Sequence, residues 1–208
     1  MKAWIFDIKK MRLILKELPD PSIREGEVLV KVKACGICGS DLHLFRRPKG
    51  LLNVIKDYAR RFVKAKEYRI LGHEVAGEVV MSRGVRIKEG SRVVVYPKTR
   101  LGTIGENLPG CFAEYVVAPE DSVVELSERI SWEEAALTEP IGSVYHAIRK
   151  ILSLITKGTI DKPNNMLIIG AGTIGLMILQ LAKYFELSSS ITVVDIVKEK
   201  LNKAKELG

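Results

Sequence analysis

Six consecutive residues, Cys38-Gly39-Ser40-Asp41-Leu42-His43, offer a thiolate, a hydroxyl, a carboxylate and an imidazole. Far along the chain, Gly72-His73-Glu74 adds a second imidazole and another carboxylate. Sulfur and imidazole nitrogen suit zinc, which takes a small tetrahedral shell of N, S and O donors. Cys38 and His73 are the expected metal ligands. Glu74 is either a ligand or a neighbour that adjusts the metal, and Glu139, just before Pro140, is the best candidate for the remaining position. Two or three protein ligands beside a serine and a histidine fit a catalytic zinc with an open position better than a closed structural site. Such a metal lowers the pKa of a bound alcohol. Ser40 would accept the alcohol proton and His43 would pass it toward solvent. Asp41 would hold the free ring nitrogen of a ligand histidine.

The second chemical element is Gly170-Ala171-Gly172-Thr173-Ile174-Gly175. It follows the apolar run Met166-Leu167-Ile168-Ile169 and opens a helical stretch, Leu176 to Phe185. Asp195 lies twenty residues after Gly175, at the end of the next apolar run, Ile191 to Val194. A glycine turn between strand and helix, with an acid at the end of the following strand, is the arrangement that holds a dinucleotide. Gly170 allows the turn, and Gly172 lets a pyrophosphate approach the backbone. Thr173 and Ile174 open the helix whose terminal N–H groups meet it, and Gly175 lets helix and strand pack closely. Asp195 would accept hydrogen bonds from a ribose and repel a 2′-phosphate, which favours NAD over NADP. Zinc and NAD together define hydride transfer at a C–O bond.

These groups need a scaffold. Residues 1–45 read as strands and tight turns, with Val28, Val30 and Val32 alternating with Leu29, Lys31 and Lys33. Val75 to Val80, Val93 to Tyr96, Tyr115 to Val117 and Val123 to Leu126 are further short strands, separated by glycines. Many short strands with glycine turns predict a partly closed β-barrel or sandwich. The period changes at Ser131-Trp132-Glu133-Glu134, which has capping-box spacing. A helical stretch follows, interrupted or restarted at Pro140 and ending near Gly158. Asp161 to Asn165 is the expected boundary, giving units at 1–160 and 161–208. Val197 to Leu207 reads as the last helix.

Composition agrees with a globular chain. Hydrophobic residues make up 47% and charged residues 28% of the 208 positions. No apolar run is long enough to predict a membrane span. Three cysteines fall well below a disulfide framework, so a reducing, cytoplasmic setting with Cys38 free is expected. Cys35-Gly36-Ile37-Cys38 has the C-x-x-C spacing of a zinc knuckle or a redox pair, but a knuckle needs a second pair, and Cys111 alone remains. Cys35 and Cys111 therefore read as structural. Of the net charge of +8, residues 46–69 hold +7, from nine basic and two acidic side chains. Leu51, Ile55, Tyr58 and Phe62 share one helical face there, which reads as a solvated surface helix. A charged flap over the site and an anion-binding patch are the other readings. Nucleic acid is not the expected partner, because no recognisable module accompanies the charge.

The motifs Gly36-Ile37-Cys38-Gly39-Ser40-Asp41-Leu42-His43, Gly72-His73-Glu74, Gly110-Cys111-Phe112-Ala113-Glu114-Tyr115, Glu139-Pro140 and the glycine turn through Asp195 occur in this order over nearly the whole chain. The sequence thereby resembles the zinc-dependent medium-chain alcohol dehydrogenase family, in particular its polyol and threonine dehydrogenase-like branch. The resemblance implies a β-rich GroES-like partly closed barrel followed by the first β-α-β-α part of a Rossmann α/β domain. It implies Cys38 and His73 as zinc ligands, with Glu74 or Glu139 completing the shell, and Ser40 and His43 as the proton relay. The substrate would be a secondary alcohol, a polyol or an amino alcohol such as threonine.

The sequence departs from the pattern in three places. Tyr96 to Gly110 contains no cysteine where many members hold a structural zinc, so one catalytic ion and no structural zinc is expected. The basic segment is longer than the usual link between relay and zinc histidine. The chain also ends soon after the second Rossmann strand, whereas family members continue. The expectation is an amino-terminal portion that works in a homo-oligomer or with a complementing C-terminal half. The alternative is an inactive remnant that binds zinc without competent NAD binding.

Overall fold

Among the described residues ten strands precede the first long helix, and their alternating valines explain the layer they build. The computed structural model describes residues 1–7, 10–46 and 68–208, and the helical face read between Leu51 and Phe62 lies outside them. The chain divides into two compact units, Met1–Glu139 and Pro140–Gly208. This division falls before the boundary expected at 160/161.

In the first unit, β1 (Lys2–Asp7), β2 (Arg12–Glu17) and β4 (Tyr68–Ile70) form a sheet in the order β2-β1-β4. A second, antiparallel sheet runs β10-β6-β5-β3-β9, from β3 (Glu27–Gly36), β5 (Glu74–Ser82), β6 (Arg92–Val95), β9 (Tyr115–Pro119) and β10 (Val123–Glu125). The β3–β5 register shifts at Leu29/Val30 and again at Val32/Ala34. Such irregularities bend strands and increase twist, which is how an open sheet curls into a half-barrel. Val28, Val30, Val75, Val79, Val93, Val95, Val116 and Val123 form its interior. Each valine side chain taken from water contributes about 1.5–3 kcal/mol. Two short strands, β7 (Lys98–Thr99) and β8 (Gly102–Thr103), form a small hairpin in the cysteine-free segment. Asn107 accepts the Thr103 N–H there at 2.6 Å.

Residues 1–45 are not all strand and turn. Gly39–Arg46 is a helix, α1. Cys38 behaves as its cap: its carbonyl accepts the Leu42 N–H at 3.3 Å, and its own N–H donates to Asp41 Oδ2 at 3.1 Å. The second bond is half of a capping box, with an acid three residues into the helix reaching back to the cap. Eight residues carry too little periodicity to reveal a two-turn helix.

The capping box read at Ser131 is present. Ser131 caps α2 (Trp132–Ala136) and receives the Glu134 N–H at 3.2 Å, while Glu134 accepts the Ser131 N–H at 2.9 Å. Ala135 and Ala136 pack on Ala76 and Val94. These small or β-branched side chains let α2 lie close on β3 and β5, the strand that begins with Glu74. After the turn at Leu137, α3 spans Thr138–Thr156, with Pro140 in its first turn, where a missing N–H costs nothing.

The second unit is β11 (Asn165–Ile169), α4 (Thr173–Tyr184), β12 (Ser190–Val194) and α5 (Lys198–Glu206). β11 and β12 are parallel, with Asn165 opposite Ser190 and Ile169 opposite Val194. Val144 and Ile148 of α3 pack with Met177, Ala182 and Leu187, and Ile168, Ala171, Leu179 and Ala204 form a second cluster. The order is strand, helix, parallel strand, helix. Among the described residues no helix is long and apolar enough to cross a membrane.

Candidate metal and dinucleotide sites

Cys38, His73 and Glu74 converge. One ligand atom from each lies within 4.8 Å of the others. Strand pairing accounts for this. β3 and β5 run antiparallel with Gly36 opposite Glu74, so the residues just beyond β3 and just before β5 meet at the same end of the sheet. Gly36 must lack a side chain, because a Cβ there would overlap Glu74 Oε2. Gly72 has φ +88°, which sets the bend before His73, and a Cβ there would lie 2.5 Å from the Phe112 ring.

Glu74 is 5% exposed. Burial raises its carboxyl above the ordinary range. The Cys38 thiol and His73 pull the other way, and the charges of Glu139 and Asp41 push it further up. Glu139 is thus an electrostatic neighbour of Glu74, half-buried and outside the three-residue cluster. Thiol, imidazole and carboxyl at this spacing are a zinc-compatible donor set, and a cation would compensate the crowded acids.

The structure assigns Asp41 a different partner from the one read in the sequence. Asp41 is buried, and its carboxylate accepts the Cys38 N–H at 3.1 Å and the Gly72 N–H at 3.4 Å. It links the two ligand-bearing segments through their backbones. The capping-box spacing from Cys38 to Asp41 was the available signal. Ser40 and His43 are exposed on α1. Cys35 and Cys111, read as separate structural residues, form a disulfide. No local spacing announces a bond between residues 76 apart in sequence.

In the second unit the glycines behave as three different devices. Gly170 has φ +99°. Gly172 caps α4, and a Cβ there would point into open space. A Cβ at Gly175 would overlap the Gly170 carbonyl oxygen. Thr173 and Ile174 occupy the exposed first turn of α4, and no side chain caps that helix. A helix start without a side-chain cap, beside open space at Gly172, suits a phosphate. Asp195 accepts the Ala171 N–H at 2.7 Å and the Val197 N–H at 2.8 Å. These bonds, Ala171 first, hold its carboxyl below the usual carboxylate range. Asp195 therefore also pins the glycine turn, a role the sequence reading did not include.

Residues 24–128 match the alcohol dehydrogenase GroES-like domain. A sorbitol dehydrogenase from Bacillus subtilis is 34% identical over 214 residues, covering 93% of this chain and 56% of that protein. A solved 2R,3R-butanediol dehydrogenase from Bacillus subtilis superposes with a TM-score of 0.77 at 29% identity, over 100% of this chain and 61% of the other. A solved alcohol dehydrogenase (rspB) from Escherichia coli, in complex with NADH, gives 0.70 at 29% identity, over 100% and 60%. The chain thus spans well under two thirds of the length of these relatives.

Proposed function

The chain belongs to the alcohol dehydrogenase family that carries the GroES-like domain, and from that premise we propose that it serves a zinc-dependent transfer of hydride between a secondary alcohol and NAD. The convergence of Cys38, His73 and Glu74 carries this reading. When bound, zinc supplies a Lewis acid for the alcohol oxygen and NAD supplies the hydride acceptor. Cys38 and His73 hold the metal, and Glu74 or Glu139 completes the shell. Asp41 keeps the Cys38 and Gly72 backbones in register. Ser40 takes the alcohol proton, and His43, exposed on the same helix, hands it to water.

The N–H groups at Gly172, Thr173 and Ile174 bind the pyrophosphate. Asp195 stays ionised because Ala171 and Val197 donate to it, and its remaining lone pairs receive the ribose hydroxyls. The NADH complex of a relative and the sorbitol and butanediol named for others support NAD and a polyol-like substrate. A small alcohol is the proposed substrate, and a homo-oligomer or a complementing C-terminal half is the proposed assembly.

Zinc content by mass spectrometry and NAD titration by calorimetry test the reading on the purified chain. Zinc near one equivalent with saturable NAD binding is the expected result. Protein that carries no zinc and takes none up overturns it. Zinc without NAD binding favours the inactive zinc-binding remnant.

A further inference from the structure

Cys35 and Cys111 are bonded, with Cα atoms 6.3 Å apart, and Cys38 is free. The bridge lies against both arms of the metal centre. Cys35 pairs with Val75 on β5, and the next residue, Gly36, faces Glu74. Cys38 follows three positions after Cys35. Cys111 donates its N–H to the Gly72 carbonyl at 3.0 Å, directly before His73. A Cβ at Gly72 would meet Cys35 Sγ at 2.9 Å. One covalent bond therefore joins the strand that delivers the thiolate to the segment that backs the imidazole.

We propose, building on the zinc reading above, that the Cys35–Cys111 bridge is a reversible thiol–disulfide couple that sets how firmly Cys38, His73 and Glu74 hold their metal. The co-reactant is a low-molecular-weight thiol. Its thiolate attacks Sγ of Cys35, the half-buried residue of the pair, and Cys111, 1% exposed, leaves as a thiolate and takes up a proton. A second small thiolate attacks its counterpart in the mixed disulfide. Cys35 then leaves and is protonated, and the two small thiols end as their disulfide. Two electrons have passed to the protein, and the reverse sequence restores the bridge. The freed Cys111 remains a small apolar side chain in the valine core, so the reduced chain keeps its fold. What it loses is the tether between the ligand segments. Strand pairing and Asp41 still relate them, but metal binding must then supply the rest of that order, which weakens retention.

The test times zinc release from the full chain to a chromophoric chelator, before and after reduction with a phosphine. Alkylation under denaturing conditions should report one free cysteine before reduction and three after it. Release after reduction is expected to be faster by about tenfold or more, the size of effect typical when support behind ligands is lost. Cys111→Ser should release zinc at the reduced rate without reductant, and a small disulfide should restore slow release to the reduced wild type. Equal rates in the two states, slower release after reduction, slow release from Cys111→Ser, or a bridge that a thiol buffer leaves intact would overturn the proposal. Zinc uptake in neither state overturns the zinc reading itself, so the two failures are distinct.

Discussion

At Glu74 a buried carboxyl is crowded by two more acids, Asp41 and Glu139, beside a thiol and an imidazole. Burying like charges without compensation is costly, and a cation at the centre removes that cost. Asp41 matters here through position rather than ligation. Asp41→Asn keeps the volume but turns an amide donor toward one of the two N–H groups. It is expected to reduce zinc affinity by about 10- to 100-fold, measured by chelator competition, with the circular dichroism spectrum unchanged. Unchanged affinity would show that Asp41 does not register the ligands. Glu120, in the 3-10 turn after β9, shows the same principle away from the site. Its carboxylate accepts the N–H groups of Ile87 at 2.7 Å, Val85 at 3.1 Å and Arg86. The Ile87 bond, then the others, pulls its pKa down. A carboxyl depressed in the folded state stabilises the fold above its unfolded value of about 4.3 and loses that contribution as pH falls through the folded value. Denaturant midpoints should therefore fall with acidification in the wild type, and Glu120→Gln should be less stable at neutral pH with a flatter acid limb. Parallel pH profiles would exclude this role.

Single glycines separate ligand-related from structural demands among the elements. A Cβ at Gly36 would overlap Glu74 Oε2, whereas one at Gly39 meets nothing within 4 Å. Gly36→Ala should weaken zinc binding about tenfold or more by displacing that carboxylate, while Gly39→Ala should bind normally. The glycine turn gives a second contrast. Gly175→Ala drives a methyl into the Gly170 carbonyl and should cost about 1–3 kcal/mol of stability. Gly172→Ala has free space in this structure and should leave stability unchanged, yet block the approach of a pyrophosphate. Calorimetry with NAD on a normally folded Gly172→Ala distinguishes the two, and undiminished NAD binding would remove the turn from the cofactor site. Most elements were legible because their signals are local. The valine alternation marks β3, and the apolar runs at 166–169 and 191–194 mark β11 and β12. Donor chemistry singles out Cys38 and His73, with Glu74 or Glu139 beside them, and the first three of these groups lie together. What escaped was decided by distant partners: the Cys35–Cys111 bond, the hold of Asp41 on Gly72, the Glu120 clamp and the order of the five-stranded sheet. Helix α1 escaped for another reason, since two turns are too short to show a period.

The two units of the molecule differ in how completely they cover their sheets. The half-barrel encloses a valine core with Val28, Val30, Val79 and Val93 fully buried. The second unit has, among the described residues, two parallel strands, and it leaves Ile169 at 82% and Ile196 at 102% exposure. A parallel pair with open edges has few bonds to lose before it opens. Amide hydrogens of β11 and β12 should therefore exchange faster than those of β3 and β5, by about tenfold or more, since local opening free energies range from near zero up to the global value. The same experiment tests the cofactor reading. A ligand that binds only the closed turn opposes opening by a factor of 1 + [L]/Kd, or about 2.7 kcal/mol at one hundred times Kd. NAD at that concentration should slow exchange at Ile169 and Val194, which flank the Gly170 and Asp195 positions, by about one hundredfold, with β3 and β5 unaffected. Zinc should do the reverse, slowing exchange around Gly36 and Glu74 and leaving β11 untouched. Protection that failed to follow the two ligands to their separate units would break the link between each site and the element that builds it.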